Sequence, residues 1–219
     1  MQFTLLQHII LWVVPLLFAI TVHEVAHGWV ASKLGDKTAK MLGRITLNPI
    51  KHIDLLGTII IPIALLLLSH GRFTFGWAKP VPVNFRNLKH IRRDTILVTA
   101  AGPVSNFLMA LGWAIVAKVG QVIAPGHAWL GAILLGFGSA GIAINLILGI
   151  FNLIPIPPLD GSRIVSAILP NRWAYQYNKL ERWGFIILLI LLVTHVIQFV
   201  MYPIFFWAIA LITKLFGLL

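Results

Sequence analysis

Long apolar runs separated by short basic stretches dominate the chain. The apolar runs cover residues 5–31, 53–68, 95–119, 128–154, 185–200 and 204–219. A hydrocarbon core about 30 Å thick takes roughly 20 residues per helical crossing, so most of these runs predict membrane-spanning helices. The pattern predicts an all-α polytopic membrane protein with about five to six hydrophobic helical segments. The second run and the last two are short for a crossing.

Between the runs lie basic stretches at 33–51, 72–93 and 163–182, holding 5, 6 and 4 of the 17 Lys and Arg residues. If 53–68 crossed the bilayer, the first two stretches would lie on opposite sides, against the tendency of basic loops to stay in the cytosol. With Gly57 and Pro62 inside it, run 53–68 fits a re-entrant or protein-buried segment, with a full crossing as the alternative. The re-entrant reading puts all three basic stretches in the cytosol, the N-terminus outside and the 118–127 connection outside. Segment 73–84 carries Pro80 and Pro82 at alternate positions, which bars a helix and leaves a short extended or β-like loop. Such an edge could pair with an extended guest by strand addition, or be a headgroup-level connection.

Composition supports this picture. Of 219 residues, 59% are hydrophobic and 11% charged, which excludes a water-soluble globule. Five or six crossings leave no room for a soluble domain, so a single membrane domain over 1–219 is expected, with a catalytic core at about 5–170 and further apolar helices at 183–219. The net charge of +11 lies between apolar runs and is explained by topology, with no nucleic-acid partner. The absence of cysteine excludes disulfides and thiolate metal ligands. Residues 1–4 offer no basic region, so the first run is not expected to be a cleaved signal peptide. Trp77, Trp129 and Trp183 read as interfacial anchors.

Within the first run stands His23-Glu24-Val25-Ala26-His27. On a helix its two imidazoles lie at i and i+4 on one face, the spacing at which both can bind one zinc ion, with Glu24 as general base toward an attacking water. A chance match is the bland alternative. An ionisable group in a spanning helix costs about 2.5–3.5 kcal/mol on insertion scales, which makes Glu24 beside two histidines an expensive accident. His8, His52, His70, His90, His127 and His195 read as interfacial or packed side chains.

A catalytic zinc usually takes three protein ligands and leaves a position for water. Of the other carboxylates, Asp36, Asp94 and Glu181 sit among basic residues near run ends and read as solvated charge. Asp160 follows Asn152-Leu153-Ile154-Pro155-Ile156-Pro157-Pro158-Leu159, where three prolines break a helix beside an acid, as happens where a membrane segment lines a polar cavity. Asp54 remains a second candidate, and a helix cap is its plainer role.

The two motifs, His23-Glu24-x-x-His27 early and Asn152-x-x-Pro155-x-Pro157-x-Leu159-Asp160-Gly161 late, together resemble the site-2 proteases, a family of intramembrane zinc metalloproteases. Weaker matches at residues 43–49, 76–84 and 102–106 extend the resemblance over about 21–163. It implies one Zn2+ held by His23, His27 and Asp160, water activation by Glu24, and a substrate-positioning or oxyanion role for Asn152. From the residues alone, Asn152 could equally tie a broken helix to its neighbour, and Asn106 could take an oxyanion role or pack helices. The implied partners are the bilayer and the transmembrane helix of a membrane-anchored substrate, with the active site toward the cytosolic side of the cell membrane. The chain departs from many members in showing neither a PDZ domain nor a nucleotide-sensing domain. Two other readings use the same ligands: a metal-ion carrier, and a non-catalytic membrane binding protein.

Overall fold

A computed structural model of the chain describes residues 3–68, 70 and 76–218. Every regular element among them is helical. Helix α1 spans Leu5–Leu34 and is capped by Thr4, whose hydroxyl accepts from the Gln7 N–H while the Gln7 side chain accepts from the Thr4 N–H. That reciprocal cap satisfies donors which a helix start otherwise leaves without partners. The helix ends at Gly35, whose φ of +123° suits a residue without Cβ. At 1.5 Å per residue α1 is about 45 Å long, and His23 stands roughly 27 Å from its start, well toward its C-terminal end.

After α2 (Thr38–Met41) and a 3₁₀ turn at Pro49–His52, a π-helical stretch at Leu55–Ile60 runs into α3 (Ile61–Leu68). Together these reach at most about 20 Å, short of the hydrocarbon thickness. The flanks of this excursion meet. The Lys79 N–H donates to the His52 carbonyl at 2.9 Å and the Trp77 N–H to the Gly57 carbonyl at 3.0 Å. The two flanks of this excursion therefore lie side by side. Trp77 lies against the bare backbone of Gly57 and, like Trp129 and Trp183, keeps an exposed face. Of the segment 73–84, residues 73–75 lie outside the described residues, and 76–84 run without helix or strand.

Helix α4 (Ile91–Ile123) returns antiparallel to α1, with the Lys89 N–H donating to the Leu34 carbonyl. A short turn leads to α5 (Ala128–Asn152). Here small residues let two backbones approach: Gly131 and Gly138 of α5 lie against Gly120 and Ala117 of α4 so closely that neither has room for a Cβ. Such contacts hold helices together in lipid, where apolar burial alone gives little. Helices α6 (Asp160–Ile168), α7 (Asn171–Asn178), α8 (Glu181–Val193) and α9 (Val196–Phe216) complete the chain. Leu146, Ile150, Leu188 and Ile197 share one core cluster. Ile9, Trp12, Leu108, Phe199 and Trp207 face outward, as lipid-facing side chains would.

Helices α1, α4, α5 and α9 are long and apolar enough to cross a membrane. The boundary between the last two runs differs from the one the sequence suggested. It falls at His195, held in the left-handed conformation with φ +61°, and Pro203 lies inside α9. Proline is tolerated there because neighbouring groups in a helical membrane protein can satisfy the freed carbonyl. Asp36 and Asp94 also differ from expectation, since neither is solvated and both are fully buried. Asp36 accepts from Thr38, from the Asn87 side chain and from the Asn84 N–H, while Asp94 accepts from the His90 N–H and from Arg93. Their donors come from backbone and turn residues that a charge pattern does not reveal. Glu181 is exposed as expected, and Asp54 is a cap, accepting from the Gly57 N–H at 2.7 Å.

Candidate metal centre

Helix α1 presents His23 and His27 on one face, and α4 passes beneath them. The close passage depends on Gly102: a Cβ there would collide with His27 Nε2 and stand 2.6 Å from His23 Nε2. Each ring is oriented from behind by α4. His23 Nδ1 lies 2.6 Å from Asn106 Oδ1 and His27 Nδ1 lies 2.7 Å from the Val98 carbonyl. A carbonyl oxygen only accepts, so both rings carry hydrogen at Nδ1 and turn a lone pair outward at Nε2.

The third group arrives from the far end of the chain. Pro155, Pro157 and Pro158 prevent α5 from continuing, and α6 starts anew at Asp160. Gly161 lets that start nest against the carbonyls of Leu153 and Ile154, where a Cβ would collide, and Tyr177 fixes the turn by donating to the Pro155 carbonyl at 2.7 Å. Asp160 Oδ2 thereby sits 3.2 Å from His23 Nε2 and 3.3 Å from His27 Nε2, while the two Nε2 atoms are 3.1 Å apart.

Three potential ligand atoms thus converge, and Asp160 Oδ2 is buried without a hydrogen-bond donor. With both rings neutral, a cation at the centre would satisfy all three groups at once. Tetrahedral zinc with bonds of about 2.0–2.1 Å has ligand–ligand edges of about 3.3 Å, so the two imidazoles and the carboxylate fit it. Among the described residues this is the one group of three or more such side chains that could hold a metal ion.

Glu24 and Asn152 line the same cavity, of about 670 Å³, as the three convergent residues. Glu24 Oε2 accepts from the Val81 N–H at 2.7 Å, which ties the 76–84 segment to the site. Asn152 Nδ2 donates to the Leu148 carbonyl at 3.0 Å and keeps a second N–H. Asn106 lies elsewhere than an oxyanion role requires. It is fully buried behind His23, and its amide is committed to His23, Ala19 and Asn145. Asp54 is committed to its cap and does not join the cluster. Sequence reasoning missed the Val98 carbonyl, which has no side-chain signature, and Asn145, whose only signal is an amide inside an apolar run.

The sequence model of peptidase family M50 matches residues 121–195, a stretch that includes Asn152 and Asp160. YwhC of Bacillus subtilis, provisionally named a zinc metalloprotease, is 43% identical over 195 residues, covering 87% of this chain and 84% of its own. Rip2 of Mycolicibacterium smegmatis, under a similarly provisional name, is 27% identical over 87% of this chain and 70% of its own. The zinc metalloprotease MJ0392 of Methanocaldococcus jannaschii is 28% identical over 78% of this chain and 39% of its own. No solved structure matches. Likeness to YwhC along most of both chains, with the family match over the Asp160 region, places the chain in peptidase family M50, the site-2 proteases.

Proposed function

We propose that the chain is a zinc metalloprotease that hydrolyses peptide bonds in transmembrane segments of membrane-anchored proteins. The observation that carries this reading is the convergence of His23, His27 and Asp160 beside Glu24 within helices built for lipid. A second cavity of about 540 Å³, almost wholly apolar, shares Ile20, Trp77, Leu148 and Phe151 with the walls of the first. A lipid-embedded segment could reach the site through such a space without crossing water. The exposed basic residues Lys51, Arg86, Lys89 and Arg92 gather on the stretches flanking the site, which favours a cytosol-facing centre in the cell membrane.

In this reading His23, His27 and Asp160 hold one zinc ion. Bound there, zinc supplies a Lewis acid that polarises a peptide carbonyl and acidifies water. Glu24 takes the proton of the attacking water and passes it to the leaving amine. The Val81 N–H holds one Glu24 oxygen in place, leaving the other for proton transfer. Asn152 directs its second N–H at the oxyanion that forms on the substrate carbonyl. The substrate helix must unwind locally, because a helical carbonyl is engaged by its own backbone.

The test is zinc content and cleavage of a membrane-helix substrate by detergent-purified protein. Glu24→Gln should retain zinc and lose cleavage, whereas Asp160→Ala should lose both. A native chain that binds zinc stoichiometrically yet cuts no helical substrate would favour a carrier or a binding protein. A native chain without zinc affinity would end the proposal.

A further inference from the structure

Two asparagines are buried with no exposed surface inside apolar helices, Asn106 on α4 and Asn145 on α5. Their amides form a directed chain. Asn145 Nδ2 donates to the Gly141 carbonyl at 2.9 Å, and Asn106 Nδ2 donates to Asn145 Oδ1 at 3.0 Å and to the Ala19 carbonyl at 3.3 Å. Asn106 Oδ1 then accepts from His23 Nδ1 at 2.6 Å.

The direction is set by a backbone carbonyl at each asparagine, Ala19 accepting from Asn106 Nδ2 at 3.3 Å and Gly141 from Asn145 Nδ2 at 2.9 Å. A backbone carbonyl cannot donate, so Gly141 selects the nitrogen of Asn145 and turns its oxygen toward Asn106. Asn106 answers with its own nitrogen and turns its oxygen toward His23. The ring must then carry its hydrogen at Nδ1 and keep the Nε2 lone pair toward Asp160. Interhelical adhesion is the plainer use of a buried amide pair, but adhesion needs no polarity. A reversed Asn106 would still join helices, yet it would offer N–H to His23 and put the ring's hydrogen on the wrong nitrogen.

We propose that Asn145 is a positioning residue of the metal centre, acting through Asn106 to hold His23 with Nε2 toward the metal. The proposal rests on the reading of His23 as a ligand. Loss of such an outer partner weakens metal binding about 10- to 100-fold.

The experiment measures zinc affinity of the detergent-purified full chain for Asn145→Leu, Asn106→Ala and the double variant, with His23→Ala as reference. We expect a 10- to 100-fold weaker zinc Kd in Asn145→Leu and no further loss when it is added to Asn106→Ala. An unchanged Kd in Asn145→Leu, or losses that simply add, would overturn the positioning role. If His23→Ala keeps native affinity, the ligand reading itself fails, an outcome distinct from the first. Because a variant can fail to fold, nitrogen NMR of ¹⁵N-histidine in the zinc-loaded native chain gives a second reading. His23 should show hydrogen fixed on Nδ1, and hydrogen on Nε2 would overturn the proposal.

Discussion

A methyl group at position 102 would occupy the space where the two imidazoles meet. Gly102→Ala is therefore expected to weaken zinc binding at least about tenfold, the scale on which misoriented ligand rings lose metal. Gly112→Ala, on the same helix with nothing within 4 Å of its Cβ position, should leave zinc affinity unchanged and favour the helix by about 0.5–1 kcal/mol. Metal titration of the two variants checks both expectations. At this scale the sequence is most readable where spacing is local. His23, Glu24 and His27 are recognisable because a helix turns four residues into one face, and Asp160 because prolines break a helix beside it. The partner of His23 Nδ1 lies 83 residues away, so no local pattern could distinguish Asn106 as an orienting group from an oxyanion donor.

The segment that follows α1 is held in place by one carboxylate. Burial works to raise the Asp36 pKa, but hydrogen bonds from Thr38, Asn87 and Asn84 outweigh it and hold the carboxyl below its ordinary value. A depressed folded-state pKa contributes stability that is fully present above the unfolded value of about 3.9 and is lost as pH falls through the folded value. Asp36→Asn should cost roughly 1.5–3 kcal/mol at neutral pH, the range for hydrogen bonds to a charged group, and flatten the fall of stability below about pH 4. Thermal unfolding of native chain and variant at pH 7 and pH 3 measures this. The long apolar run at 5–31 made α1 legible, whereas its Thr4 cap and Gly35 stop came only with the structure. The break between α8 and α9 was not legible, because the apolar runs part at 201–203 whereas the chain turns at His195 inside the earlier run. Asp36 was misread for a related reason, since its donors come from a turn some 50 residues on.

Taken whole, the molecule brings the two flanks of run 53–68 side by side, Lys79 against His52 and Trp77 against Gly57. The cysteine-free chain allows a direct test: a single cysteine at Arg86 should react with an impermeant thiol reagent only after the cell membrane is permeabilised. Labelling of intact cells would place that loop outside and reverse the proposed orientation. The shortness of run 53–68 was readable in the sequence, whereas the meeting of His52 with Lys79 needed three-dimensional structure. The returning strand of chain has a further consequence. Extended backbone beside a reactive centre is a template onto which stray polypeptides, including other copies of the same protein, can zip. Here Pro80 and Pro82 have no N–H, the Val81 N–H is taken by Glu24, and Arg44 covers the carbonyls of Lys79 and Pro80. The stretch nearest Glu24 therefore leaves few free backbone groups onto which a passing chain could add as a strand.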